Sequence, residues 1–351
     1  MIEIRTFEGD GAEAHRVTYS VWSKAFGGKT PIPIWSPEFF DWALLAGRPE
    51  ANHYLIGAYK GSQLVGTLFA EEFMLRVRGK QIRGSGGSWL SVSEACKGHF
   101  VAKRMWDELA KRHLERNAQV MLGWTYRAAA ALDGHIFWNR AAVIDTIDEV
   151  GHWVRVLDHK SVANWEPERI QSLLASVAGL VQRPPSLAVN TTGIRHYEES
   201  DLPACMHLVE AQSRTMDLSI AWSADRLARQ LKFKDMPRTL VAERDGKAAG
   251  FVNYYLVEML GRHPLRAALI DLFVAGSLAA GVQARLLAAA LARMREEGAA
   301  FTLLLRLRNL RAWPLISNGF VPLPPQVTFI GIYPGGNRFL GKIRNYDVPP
   351  R

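Results

Sequence analysis

Apolar and polar positions along this chain follow a pattern that is written twice. Ile4-Arg5-Thr6-Phe7-Glu8, apolar at its first and fourth positions, is echoed by Ile194-Arg195-His196-Tyr197-Glu198, and a polar, helix-prone segment follows each. Leu55–Gly61 and Leu240–Gly246 each read as a strand running into a glycine turn, with Gly66 and Gly250 inside the returning strand. Trp89–Val92 and Ile270–Val274 are short apolar strands, each leading through a turn of small residues into a long helix. These helices are predicted near 101–117 and 282–298, and apolar strands at Gln119–Trp124 and Phe301–Leu307 come after them. The spacing between equivalent landmarks is 190, then 185, then 182 residues. So steady an offset points to an internal duplication.

The stretch 158–192 separates the copies. Trp165-Glu166-Pro167-Glu168 reads as a helix start, with proline in the first turn. That helix is predicted to reach about Val181, where Arg183-Pro184-Pro185 breaks it, because proline lacks the donor and clashes inside a helix. The expected domains are therefore 1–160 and 191–351, joined by a helical linker at 161–190. The turn-rich tail from Tyr333 to Arg351 is expected to pack on the surface.

Composition narrows the class. A chain of 351 residues suits two domains, and 48% hydrophobic with 22% charged residues is ordinary for a globular protein. Cys96 and Cys205 make no disulfide framework, which favours a reducing compartment. The N-terminus lacks the basic and apolar regions of a signal peptide. The most apolar stretch, Ala284–Leu291, is too short for a membrane span. A cytoplasmic location is the expectation. Ten histidines without a His-x-x-x-His pair, and no Cys-x-x-Cys, predict no metal. The net charge of +9 attracts anions such as CoA, nucleotides, RNA or acidic peptides. The basic residues are dispersed, with only modest concentrations at Arg76–Arg83 and Lys103–Arg116, so a nucleic-acid partner is not the expectation.

The candidate chemistry lies at the strand–turn–helix of the first copy, Leu90-Ser-Val92-Ser-Glu-Ala-Cys-Lys97-Gly98-His99-Phe100-Val101-Ala102-Lys103-Arg104. It resembles the acyl-CoA motif of the GNAT superfamily, a strand ending in Val followed by Arg/Gln-x-x-Gly-x-Gly/Ala at the start of a helix. Lys97 stands in the cation's place, Phe100 in the place of the first glycine and Ala102 in that of the second small residue. A helix N-terminus leaves N–H groups unpaired and carries partial positive charge, so a pyrophosphate satisfies both. The resemblance implies that Leu90, Val92, Lys97, Gly98, His99, Phe100, Val101, Ala102 and Lys103 line an acyl-CoA site, with Arg104 beside them. In the second copy Gly281 keeps the first glycine, while Leu278 replaces the cation and Gln283 the second small residue. Asn309-Leu-Arg-Ala312-Trp-Pro-Leu315-Ile316-Ser-Asn-Gly319-Phe320 resembles the family's closing motif. The tyrosine that many members carry there falls at Leu315 or Ile316, neither of which can donate a proton. The first copy is thus expected to be active and the second partly degenerate.

The resemblance implies an α+β fold of two tandem GNAT domains, each a mixed, mostly antiparallel sheet flanked by helices. It implies direct transfer of an acyl group from acetyl-CoA or another acyl-CoA to the amine of a small molecule or peptide. The thioester would lie where two strands splay, polarised by a backbone N–H from Leu90–Ser93. Glu71 and Glu72 are candidate bases, Glu72 being the choice, and Tyr126 is the candidate acid, each with a plain structural reading beside it. Cys96 precedes the turn in a basic setting, but a structural thiol is the expected reading. Trp22, Trp35, Trp42 and Trp222 fall near the first helices, where either an acceptor cleft or core packing accounts for them. Two alternatives stand beside this one. One is aminoacyl or long-chain acyl transfer on a tandem scaffold, resembling the peptidoglycan-bridge aminoacyltransferases; the other is a non-catalytic ligand-binding module. A homodimer is compatible with the sequence.

Overall fold

A computed structural model describes residues 1–27, 30–45, 51–96, 98–126, 132–165 and 190–349. The chain forms two domains, one from Met1–Glu149 with Gln326–Ile343, the other from Val150–Pro325 with Arg344–Pro349.

The first domain opens with β1 (Ile2–Thr6) and helix α1 (Gly11–Phe26), then β2 (Ile32–Ile34) and α2 (Pro37–Phe40), which runs into a π-helical turn at Asp41–Leu45. Asp10 caps α1 by accepting from the Glu13 N–H at 2.8 Å, and Ser36 caps α2 through the Phe39 N–H. The sheet is built from β3 (Leu55–Lys60), β4 (Gln63–Val77), β5 (Lys80–Val92) and β6 (Val120–Tyr126), with β7 (Val143–Val150) at its far edge. Between β6 and β7 lies β16 (Val327–Tyr333), giving the order β1-β3-β4-β5-β6-β16-β7. The β5–β6 pair is parallel; β1–β3, β3–β4, β4–β5 and β6–β16 are antiparallel. Helices α3 (Val101–Glu115) and α4 (Leu132–Ala141) complete the domain. The buried face of α3 carries Val101, Met105, Trp106, Leu109 and His113, one stripe at helical spacing. It packs on Ile56, Ala58, Leu68 and Ala70 of β3 and β4.

The second domain repeats the plan. Its strands are β8 (His152–Val156), β9 (Ile194–His196), β11 (Pro237–Arg244), β12 (Lys247–Leu260), β13 (Pro264–Val274), β14 (Phe301–Leu305) and β15 (Val321–Pro322), in the order β15-β8-β14-β13-β12-β11-β9. Short strands β10 (Leu218–Ile220) and β17 (Tyr346–Asp347) pair in parallel. Asp245 and Gly246 both take positive φ in the β11–β12 turn, the type I′ geometry that suits a two-residue hairpin. Helix α5 is His159–Trp165, α6 Leu202–Ser213, α7 Ala224–Leu231, α8 Ala280–Glu296 and α9 Ala312–Ser317.

The domain boundaries differ from those read in the sequence. The strand after the first copy, β8, completes the second sheet beside β14, and β16 from the end of the second copy completes the first. A fully buried strand such as Val327–Tyr333 announces itself as core, but its period does not say which sheet it joins. The tail also differs from expectation, since Leu340, Ile343, Tyr346 and Val348 are buried. Helix α5 begins earlier than the predicted linker helix, where Asp158 Oδ1 accepts from the N–H groups of Lys160 and Ser161. The remainder of that linker, 166–189, lies outside the described residues.

Candidate active site

Strands β5 and β6 pair at Gly84–Val120, Ser85–Met121 and Gly86–Leu122, and then part. Each follows its other neighbour. β5 keeps its ladder with β4 as far as Val92 opposite Gly66, and β6 keeps its own with β16 out to Tyr126 opposite Val327. A wedge therefore opens between Gly87–Val92 and Gly123–Tyr126. At its mouth β5 bulges. Ser88 faces Phe69 and Ser91 faces Thr67, so Trp89 and Leu90 together oppose Leu68. Trp89 adopts φ 55, and its carbonyl accepts from the Thr67 hydroxyl at 2.8 Å and the Ser91 hydroxyl at 3.3 Å. A bulge takes backbone groups off the ladder, which shifts the expected backbone donor from Leu90–Ser93 to Trp89–Leu90.

The strand leads through a 3₁₀ turn at Glu94–Cys96 into the start of α3. Gly98 (φ 87) and Phe100 (φ 53) are both left-handed, and Phe100 is the N-cap, without a side-chain bond to the helix. Phe100 is 79% exposed, so its ring does not fold into the turn. A methyl group built on Gly98 would meet nothing within 4 Å. Among the described residues, no side chain caps the helix start that carries the first-turn N–H groups of Val101, Ala102 and Lys103. His99 is exposed, Val101 buried and Ala102 half-buried, while Leu90 and Val92 are partly buried on the α3 core. Lys103 pairs with Asp107, and Arg104 donates to the Ile2 carbonyl at 2.9 Å. Lys97 lies outside the described residues.

Glu72 and Tyr126 are not brought together. Glu72 faces Ser85 in the closed part of the sheet, where it pairs with Arg83 at 3.4 Å and Arg116 at 2.9 Å. These contacts tie the end of α3 to β4 and β5 and give Glu72 a structural role. The pKa of the Tyr54 phenol is raised first by burial and then by the Glu72 carboxylate. Tyr126 lies five positions beyond Met121, the β6 partner of Ser85, or about 16 Å along the strand. Tyr126 is 41% exposed as a residue, yet desolvation raises its pKa, so its hydroxyl keeps its proton. Glu71 faces Gly86, the last paired position before the wedge, and shares a strand face with Phe69 and Phe73, opposite to Glu72. Cys96 is buried, in keeping with a structural thiol.

Sequence reasoning passed over the glycines of β5. A methyl on Gly84 would stand 2.6 Å from Leu75 Cδ1, and one on Gly87 only 2.3 Å from Met121 Sδ. Gly84-Ser85-Gly86-Gly87 was the available signal, because glycine inside a strand marks a bulge or a close backbone approach.

The second domain repeats the wedge, with Leu278 and Gln283 buried at its turn and open space beside Gly281. β13 pairs with β14 from Ala267–Phe301 to Ile270–Leu304, and Asp271 is the extra residue of its bulge against β12. Leu278 is buried against Gly250, where a methyl would meet Leu278 Cδ1 at 2.6 Å. Gln283 is buried and donates Nε2–H to the Leu278 carbonyl at 2.8 Å. Leu315 is core, and Ile316 is exposed. Among the described residues, no group of three or more His, Cys, Asp or Glu could hold a metal, and no helix is long and apolar enough to cross a membrane.

Comparison with known proteins agrees with this geometry. The family model described as acetyltransferase (GNAT) domain matches residues 11–131, and the model described as acetyltransferase (GNAT) family matches residues 202–320. No curated protein matches the chain. A structure of Saccharomyces cerevisiae N-myristoyltransferase with bound myristoyl-CoA is similar, with 14% identity and a TM-score of 0.74 over 94% of this chain and 82% of that one. A second structure of the same yeast enzyme has 15% identity and a TM-score of 0.75, covering 99% and 84%. A GCN5-related N-acetyltransferase from Kribbella flavida has 14% identity and a TM-score of 0.52, covering 94% and 71%. At these identities the likeness is one of fold. Two family matches spanning both copies, on a pair of mixed sheets that each open into a wedge, place the chain in the GNAT acyltransferase family as a member with two GNAT domains in tandem.

Proposed function

We propose that this chain transfers an acyl group, acetyl first among them, from acyl-CoA to the amine of a small molecule or peptide, with the chemistry in the first domain. The observation that carries this reading is the wedge beyond Gly86 and Leu122, set directly before a helix whose first turn has no side-chain cap. The pyrophosphate of CoA is bound by the N–H groups of Val101–Lys103 and by the adjacent cationic side chains. The pantetheine arm enters the wedge. Backbone N–H groups at the Trp89–Leu90 bulge polarise the thioester carbonyl and stabilise the oxyanion. The amine nitrogen attacks the carbonyl carbon and the C–S bond breaks. Glu71, directly or through water, takes the amine proton. Tyr126 returns a proton to the departing thiolate, a step that helps but is not essential for a thiol of pKa about 8.5. Holding both reactants in one wedge can contribute about 7–11 kcal/mol to lowering the barrier. The second domain, with Leu278 in the cation's place and no donor at Leu315 or Ile316, binds no CoA.

Thermal unfolding with and without acetyl-CoA tests this reading. At a hundredfold excess over Kd the ligand is expected to add about 2.7 kcal/mol, with one molecule bound per chain. An unchanged midpoint at millimolar acetyl-CoA would rule the reading out.

A further inference from the structure

We infer that the first domain admits only short acyl chains and that Trp89 sets the limit, an inference that rests on the acyl-CoA reading above. The uncapped start of α3 and the body of α3 lie on one face of the sheet, against Ile56, Ala58, Leu68 and Ala70. An acyl chain whose CoA comes from that side and whose carbonyl sits in the wedge must extend toward the other face. That face is walled by aromatic rings. Trp89 lies 5.9 Å from Phe39, 5.5 Å from Phe40 and 6.2 Å from Trp35, centroid to centroid, in edge-on contacts. Trp35 stacks on Phe39 at 4.3 Å, and Phe40 meets Phe69 of β4 at 6.4 Å. Phe39, Phe40 and Phe69 are at most 1% exposed, and Trp89 is 3% exposed. Rings packed in this way leave an acetyl methyl room in the wedge but give a long methylene chain no path through the wall.

Two further features single out Trp89. It is a bulky residue held at φ 55, a conformation that branched and aromatic side chains rarely adopt, at the bulge beside the reacting carbonyl. The left-handed turn directs the indole to the α2 face while its neighbour Leu90 packs on the α3 core. The likeness to a protein crystallised with myristoyl-CoA is a likeness of scaffold.

The test is a chain-length series on the full protein. Binding of CoA, acetyl-CoA, octanoyl-CoA and myristoyl-CoA is measured by calorimetry, each acyl-CoA in competition with CoA. CoA and acetyl-CoA are expected to bind within threefold of each other, and myristoyl-CoA at least tenfold more weakly. Myristoyl-CoA binding as tightly as acetyl-CoA overturns the inference while leaving the acyl-CoA reading intact; failure of CoA itself to bind removes that reading instead. Trp89→Gly suits the left-handed backbone and opens the wall, and it is expected to shift the octanoyl-to-acetyl affinity ratio at least tenfold toward octanoyl. An unchanged ratio in a folded Trp89→Gly protein refutes the role of Trp89. If that variant does not fold, Trp35→Ala, at a less buried ring of the same wall, is expected to shift the ratio in the same direction, and an unchanged ratio there overturns the wall.

Discussion

Acidification from pH 7 to pH 5 is expected to loosen the first domain through one imidazole. His113 is wholly buried on α3, with Nε2 and the Ser85 hydroxyl 2.7 Å apart, and Nδ1 2.8 Å from the Leu109 carbonyl. The Tyr54 ring lies 4.5 Å away, centroid to centroid. Burial pushes the His113 pKa down to about 4 from an ordinary 6.5, against the Leu109 carbonyl, which acts the other way. The folded state therefore binds fewer protons than the unfolded chain between these two values. The stabilisation is fully present above pH 6.5, falls as the pH drops below it, and levels off below pH 4. The full difference is about 3 kcal/mol, of which about 2 kcal/mol is lost by pH 5. With two domains, global unfolding is a poor readout. Hydrogen exchange of the α3 peptides, corrected for intrinsic rate, reports the first domain directly. Protection of residues 101–115 is expected to fall about thirtyfold more between pH 7 and pH 5 in the wild type than in His113→Gln, which has no group titrating there. Equal losses in the two proteins would show that the imidazole is not the proton acceptor, and the burial argument would fail.

Three other outcomes follow from the geometry. Ala102→Asp places a carboxylate where the pyrophosphate is proposed to bind; it is expected to raise the KM for acetyl-CoA at least tenfold while leaving stability equal or up to about 1 kcal/mol higher, because an acidic residue suits a helix start. Steady-state kinetics and thermal unfolding of one sample check both signs. Glu71→Gln is expected to lower kcat about a hundredfold with the fold intact, whereas Glu72→Gln is expected to cost about 1–3 kcal/mol of stability with kcat within threefold, since it leaves Arg83 and Arg116 without their carboxylate. The reverse pattern would return the base to Glu72. Gly87→Ala brings a methyl against Met121 Sδ and is expected to destabilise by about 1–3 kcal/mol in urea titration; a neutral result would mean that β5 and β6 are not so close at that point.

Local chemistry was legible in the sequence, and long-range partnership was not. The duplication could be read because each copy repeats a strand, a glycine hairpin and a strand–turn–helix, and each of those signals is carried by residues close together in the chain. The exchange of β8 and β16 could not, since a run such as Val327–Tyr333 specifies a buried strand without naming its neighbour. At the site, the helix start was found from Gly98–Ala102. The pairing of Glu72 with Arg83 and Arg116 was not legible, because a carboxylate at a strand end looks the same in sequence whether it faces solvent, substrate or two guanidinium groups. The strand face that separates it from Glu71 is set by the parity of the β4–β5 register, and the bulge at Trp89 shifts that register by one.

The two turns together argue for how a duplicated site diverges while the fold is kept. An uncapped helix start needs partners for its N–H groups, and a ligand, water or a side chain can supply them. In the second domain Leu278 has gone into the core against Gly250 and the buried Gln283 donates its Nε2–H to the Leu278 carbonyl, while the helix start at Ala279 has no side-chain cap either. In the first domain Phe100 is left-handed and turns its ring to solvent, at a cost of about 1–2 kcal/mol of backbone strain and without occupying the turn. A side chain can thus violate the motif at its glycine and leave the turn open, while the second copy keeps Gly281 with open space beside it. What separates the two turns is the cation's place, where the second copy puts the buried Leu278 and the first has Lys97 in its sequence.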